Sequence, residues 1–272
     1  MKKRWQVVAL LVAVAGVVGM ARPVQAMTVQ RERTAIKKIM RKDLNGVGGR
    51  WSARVTRIGK RPLSVTTGNQ RVKAPRSAST IKVFVMLTIY RHVQTHQLRL
   101  TANDQRDLKL MIHNSDNAAA NRLIKRAGGF RAVNQTAKRY GFHQTTLRRY
   151  MLDTNALRHG RDNYTSVNDL TRFLSLTKRH RLLGRTYDQH MLTLLRGCRN
   201  HSKLPKLVQH ATVYNKTGEY PDKGVQNDAA LFKTKHGTYS VVVMAQSGQA
   251  TAQYRGMNRL GRDVVRYLDQ HR

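Results

Sequence analysis

The sequence predicts an α/β (α+β) fold: an antiparallel sheet flanked by N- and C-terminal helices, with an all-helical part inserted between its strands. Three observations predict it. Strand-like runs occur only near the two ends of the 272-residue chain. Helical periodicity fills the long stretch between them. A helical segment precedes the first strands, and another follows the last.

In order along the chain, residues 28–44 place Ile36, Ile39, Met40 and Leu44 at helical spacing on an otherwise charged segment. "NGVGG" at 45–49 stops that helix. "RWSARVTRI" and "LSVTTG" then read as two strands around "GKRP". From Ile81 the chain is helical, with stops at "AGG" (127–129) and "YG" (140–141). Ser166 and Asp169 are spaced as a capping box before "LTRFLSL". After Pro205, "ATVYNKTG", "VQNDAALFKT" and "TYSVVVMAQ" are three further strands, and residues 252–270 return to helix. The sheet part therefore comprises residues 27–78 and 206–272, the helical part residues 79–205. A site is expected in the cleft between them.

The N-terminus carries a basic "MKKRW", an apolar "VVALLVAVAGVVGMA" and a small-residue site ending at Ala26. This pattern predicts a signal peptide over residues 1–26, cleaved after Ala26 or retained as an anchor, and hence a secreted or cell-surface protein. The single cysteine, Cys198, excludes an intrachain disulfide, and "LLRGCRN" reads as a helix end with a buried thiol. The net charge of +37 is scattered along the chain without an interleaved aromatic platform, so nucleic acid is not the expected partner. Anionic cell-wall polymers, phospholipid head groups or plain solvation of a basic surface all remain open. A monomer is expected. "HVQTH" sets His92 and His96 at the spacing of two helical zinc ligands, but the intervening glutamate and a third ligand are missing. No metal and no cofactor is expected. No G-x-S-x-G elbow occurs.

Within "RSASTIKVFV", Ser79 and Lys82 stand three apart at the mouth of an apolar run. That spacing is weak by itself, because "SLTK" (Ser175 to Lys178) matches equally well. "HNSDNAAAN" then supplies Ser115-Asp116-Asn117, and "YNKTGEY" supplies Lys216-Thr217-Gly218 at the end of a strand. Together these are the S-x-x-K, S-D-N and K-T-G set. Ser175 has no such partners in order. A serine hydroxyl needs a base within hydrogen-bond reach. Lys82 lies one helical turn away on the same face, where burial and the charge of Lys216 would lower its pKa.

With "STIKV" after a Pro-containing loop, "SDNAAAN" including Asn121, and "KTG" followed by an "ND" strand and a final helix, residues 28–272 resemble the class A β-lactamases and penicillin-binding proteins. The resemblance implies an acyl-enzyme on Ser79 with Lys82 as base and Ser115 as proton relay. Asn117 would hold an acylamino side chain, and Lys216 and Thr217 a carboxylate beside Gly218. The backbone N–H groups of Ser79 and Glu219 would form the oxyanion hole. β-Lactams lead as substrate class. A D-alanyl peptidase acting on peptidoglycan stem peptides, an esterase, a slow β-lactam trap and a largely non-catalytic wall-binding module are the alternatives.

The sequence departs from that family at three places. In "RRYMLDTNAL", Arg149 and Asn155 match the family's arginine and asparagine, but the deacylating glutamate falls on Met151. Asp153 is the nearest carboxylate and would need a one-residue slip to activate water. The segment 83–114 is shorter than the family's, which implies a more open cleft. Glu219 sets a carboxylate directly after K-T-G, where it would oppose an anionic substrate if it faced the cleft.

Overall fold

The computed structural model describes residues 21–59, 61–69 and 75–271. Helix α1 (Ala21–Leu44) begins earlier than the apolar periodicity indicates, before the expected cleavage position. Residues 1–20 of the expected signal segment lie outside the described residues. Two strands follow, β1 (Arg50–Ile58) and β2 (Leu63–Gly68). Seven helices come next: α2 (Lys82–Gln94), α3 (Ala102–His113), α4 (Asn117–Arg126), α5 (Gly129–Arg139), α6 (Thr154–Arg158), α7 (Val167–Lys178) and α8 (Arg185–Arg196). The chain closes with β3 (Thr212–Tyr220), β4 (Val225–Lys233), β5 (Thr238–Gln246) and α9 (Ala250–Gln270).

The five strands make one antiparallel sheet in the order β2-β1-β5-β4-β3. Side chains alternate faces along a strand, and β4 and β5 are apolar on both. Ala229, Leu231, Val242 and Met244 pack with the inserted helices. Ala230, Phe232, Val241 and Val243 pack on the other face with Ile36, Met40 and Leu44 of α1 and Met257, Leu260 and Val264 of α9. The sheet is thus the middle of three layers. Helix α2 is buried from Lys82 to Tyr90 because it runs through the centre of the helical layer. Edge strand β3 is left facing the start of α2.

Three local expectations are corrected. The K-T-G run does not end its strand, since β3 continues to Tyr220. Ser166 caps α7 by accepting from Asp169 N, but Asp169 gives its carboxylate to Gln144 N and Thr145 Oγ1 rather than back to Ser166. His92 and His96 do not share a helix, because α2 stops at Gln94 and His96 turns away at φ 56°. No group of three or more potential metal ligands occurs among the described residues. Cys198 is buried and free, as its helix-end setting indicates.

Candidate active site

The residues Ala78–Ile81 form a single 3-10 turn that enters α2. Hydrogen bonds from separate elements pin it. Ser77 N donates to Asn163 O at 2.9 Å. Thr80 Oγ1 donates to Ser77 O at 2.7 Å. Asn227 Nδ2, from β4, donates to Arg76 O and Ser77 O at 2.9 and 3.0 Å. Ala78 adopts φ 44°, a left-handed conformation costly for an L residue and tolerated where surrounding bonds over-determine it. Ser79 is thereby held out of the helix and at its mouth.

Strand β3 passes close to this turn because Gly218 has no side chain. A Cβ there would lie 2.8 Å from Ser77 O and 3.0 Å from Thr80 N. Gly218→Ala is expected to push β3 off the turn. Overpacking of this kind costs about 1–3 kcal/mol, and a displacement near 1 Å can cost about 100-fold in rate. Thermal unfolding and the rate of Ser79 acylation check the two halves separately.

Lys82 is fully buried. Its Nζ lies 3.0 Å from Ser79 Oγ, 2.6 Å from Ser115 O, 2.8 Å from Asn117 Oδ1 and 3.3 Å from Ser115 Oγ. Burial, then the charge of Lys216, lowers its pKa to about 6 against the opposing pull of Asp116. A neutral amine has two N–H groups and one lone pair. Ser115 O and Asn117 Oδ1 can only accept, so they take the two hydrogens, and the lone pair is left for the Ser79 hydroxyl.

Ser115 sits between two lysines, in a left-handed conformation at φ 57°. Lys216 Nζ donates to Ser115 Oγ and to Thr217 O, both at 2.9 Å. Burial lowers Lys216 to about 8, so near neutrality it stays the cation while Lys82 is neutral. Asp116 caps α4 by accepting from Ala119 N at 2.6 Å. Ser79, Lys82, Ser115, Asn117, Lys216 and Thr217 are therefore brought together from three elements, with Gly218 behind them. Ser175, by contrast, is inside α7 and borders neither cavity at this cleft.

Two cavities open on Ser79. One of about 830 Å³ runs along β3 and is lined by Ser115, Lys216, Thr217, Arg199, His201 and Lys206. The other, about 170 Å³, is lined by Met151, Leu152, Leu157, Tyr220, Asp153 and Asp222. Asn117 and Glu219 border both.

A model of the beta-lactamase enzyme family matches residues 105–268. The chain belongs to that family. Among solved structures, a beta-lactamase from Sphaerobacter thermophilus is 22% identical with a TM-score of 0.74, over 86% of this chain and 97% of that one. PBP-A, in a substituted form captured as its acyl-enzyme with penicillin G, is 19% identical with a TM-score of 0.72, over 90% and 97%. A class A beta-lactamase from Bacteroides cellulosilyticus is 18% identical with a TM-score of 0.71, over 86% and 98%. No curated protein sequence matches. At these identities the structural likeness speaks for the fold.

In this beta-lactamase family chain, the small cavity is walled by the loop that carries Met151 and Asp153. Arg149 holds the loop as the matching arginine should, with Nε 2.7 Å from Asp162 Oδ1 and Asp162 also paired to Arg76. Asn121 clamps Met151 on both sides, accepting from its N at 2.7 Å and donating to its O at 3.1 Å. Met151 is thus fixed, 8% exposed, in the wall beside Ser79. Asp153 reaches the same cavity, but its Oδ1 caps α6 by accepting from Ala156 N at 2.8 Å.

Glu219 is neutralised rather than opposed to substrate. Its register partner is Gln226, on the face of the sheet that α9 covers. Its Oε1 accepts from Lys203 Nζ and Asn200 Nδ2 at 2.9 Å and from Tyr254 OH at 3.2 Å. Burial raises its pKa, but the Lys203 charge and these hydrogen bonds outweigh that and hold the carboxyl below its ordinary value. Lys203 is itself completely buried and lies 5.2 Å over the Tyr254 ring. In sequence Lys203 belongs to no motif, and Asn227 is marked only as part of the "ND" strand. The partners of both lie on distant elements.

Proposed function

We propose that this protein is a serine hydrolase that forms an acyl-enzyme on Ser79 and releases it slowly, with β-lactams as the acylating class. The single observation that carries the reading is Lys82 Nζ at 3.0 Å from Ser79 Oγ, in a site that depresses the lysine to about 6. The neutral amine takes the hydroxyl proton as Oγ attacks the substrate carbonyl. The Ser79 and Glu219 N–H groups stabilise the tetrahedral oxyanion. Ser115, bonded to both lysines, passes the proton to the leaving nitrogen. Lys216 and Thr217 hold a substrate carboxylate in the basic cavity, and the Asn117 amide donates to the acyl carbonyl. Release needs an activated water, and the residue at the family's glutamate position is Met151. The substituted form of PBP-A, captured as its acyl-enzyme with penicillin G, supports the acylation step.

One dose of a penicillin followed by intact-mass measurement tests this. A single acyl adduct that persists and is absent in Ser79→Ala is expected, and no adduct on the native chain would sink the reading. The two lysines also set a pH profile. Lys82 must be neutral, so acylation is lost as pH falls through about 6. Lys216 must be charged, so acylation is lost again as pH rises through about 8. A bell between these limbs is expected for the acylation rate constant, with apparent values that belong to the coupled pair. A flat profile from pH 5 to 9 would remove the base assignment.

A further inference from the structure

We infer that the small cavity beside Ser79 selects an acyl group that ends in a cation carried on an apolar stem. This rests on the acyl-enzyme reading above and names the substrate class for it. The cleft is electrically polarised about the nucleophile. On the β3 side stand Arg199, Lys206 and Lys216, none of them in an ion pair with a carboxylate among the described residues. On the other side stand the carboxylates of Asp153 and Asp222.

Those two carboxylates are anomalous for this chain. Lysine and arginine number 51 against 14 aspartates and glutamates, so an exposed carboxylate should readily find a cation. Seven acidic residues do: Glu32, Asp43, Asp104, Asp107, Asp162, Glu219 and Asp263 pair with lysine or arginine; Asp269 serves two hydroxyls and Asp116 caps α4. Asp169, Asp188 and Asp228 are buried and hydrogen-bonded. Asp153 and Asp222 make no ion pair among the described residues, and Asp222 is fully on the surface side of its turn. Both border one cavity, next to the nucleophile.

The remaining walls fix the shape of the occupant. Met151, Leu152, Leu157 and Tyr220 make them apolar. Leu152 is 74% exposed and held at φ 63°, a conformation that projects a large apolar side chain where burial would otherwise be expected. The cavity holds about 170 Å³, and apolar cavities of about 150 Å³ accept a benzene ring. Arg149 also borders it, but its charge is spent on Asp162. Glu219 is spent on Lys203. The occupant is therefore an aryl or alkyl stem that places an ammonium between Asp153 and Asp222, while its carboxylate lies on the basic side.

Three penicillins that differ only at the end of the acyl chain test this: 4-(aminomethyl)phenylacetyl, phenylacetyl and 4-carboxyphenylacetyl. Second-order acylation rates are read from the Ser79 adduct mass at low and high salt. With two exposed pairs of the usual modest strength, the ammonium compound is expected to acylate about twofold to thirtyfold faster than the neutral one and the carboxylate compound slower still, with both gaps shrinking in salt. Rates taken relative to the neutral compound should converge in the Asp153→Asn/Asp222→Asn double variant. Asparagine still caps α6, so the loop is retained. Equal rates for all three compounds, or an order that survives in the double variant, overturn this inference and leave the acyl-enzyme reading standing. Absence of any adduct overturns both.

Discussion

Lys82→Met is expected to slow acylation of Ser79 by about 10²–10⁴-fold, the usual contribution of a positioned general base. Methionine, one atom shorter, keeps the apolar stem of lysine but removes the Nζ whose lone pair faces the Ser79 hydroxyl 3.0 Å away. The stability effect should run the other way. The folded pKa of Lys82 is about 6, below its ordinary 10.5. Between those values the unfolded chain binds the extra proton and the folded chain does not, so the buried lysine costs stability that grows as pH falls across the window. Replacing it should raise Tm relative to the native chain most near pH 6 and least near pH 10. The unpartnered Ser115 O and Asn117 Oδ1 will offset part of the gain. Acylation followed by intact mass and Tm measured across pH check both halves. A rate within tenfold of native would show that Lys82 is not the base.

Met151→Glu is expected to accelerate release of the acyl group by about 10²–10⁴-fold, because it supplies the water-activating carboxylate that the site lacks. The backbone of Met151 is clamped by Asn121 through both N and O, so the new side chain should occupy the same wall of the Ser79 cavity. Burial there would raise the pKa of a glutamate, which suits a base working near neutrality. Acylation should change little, since Ser79, Lys82, Ser115 and Lys216 are untouched. The time course of adduct mass after one penicillin dose separates the two steps. Met151→Gln, of the same length but with no base, is the control and should leave the adduct long-lived. Equal adduct lifetimes in the glutamate variant and the native chain would show that release is limited elsewhere.

Much of this was legible before folding. "RWSARVTRI" and "TYSVVVMAQ" match β1 and β5 residue for residue, the first through its alternation of faces and the second as an apolar run buried on both faces. Ser79, Lys82, Ser115, Asn117 and Lys216 were found by local spacing and order, since acyl-transfer chemistry restricts which residue types can serve. The misreadings were of chain direction rather than of residue type. His96 leaves its helix because α2 ends at Gln94, and β3 runs past Gly218 because strand β4 continues alongside it as far as Val225.

By itself the sequence determined the order of strands and helices, the candidate nucleophile Ser79 and its candidate base Lys82, and the methionine at position 151. Each is a property of residue identity or of periodicity along the chain. Only the tertiary structure decided what each charge does. Glu219 looked hostile to an anionic substrate until Lys203, from a loop before β3, met it at 2.9 Å. Asp153 reads in sequence only as a candidate base and Asp222 not at all, and they become a pair only because the α6 loop and the turn after β3 enclose one cavity. Electrostatic effect depends on distance and burial, and neither exists until distant segments pack.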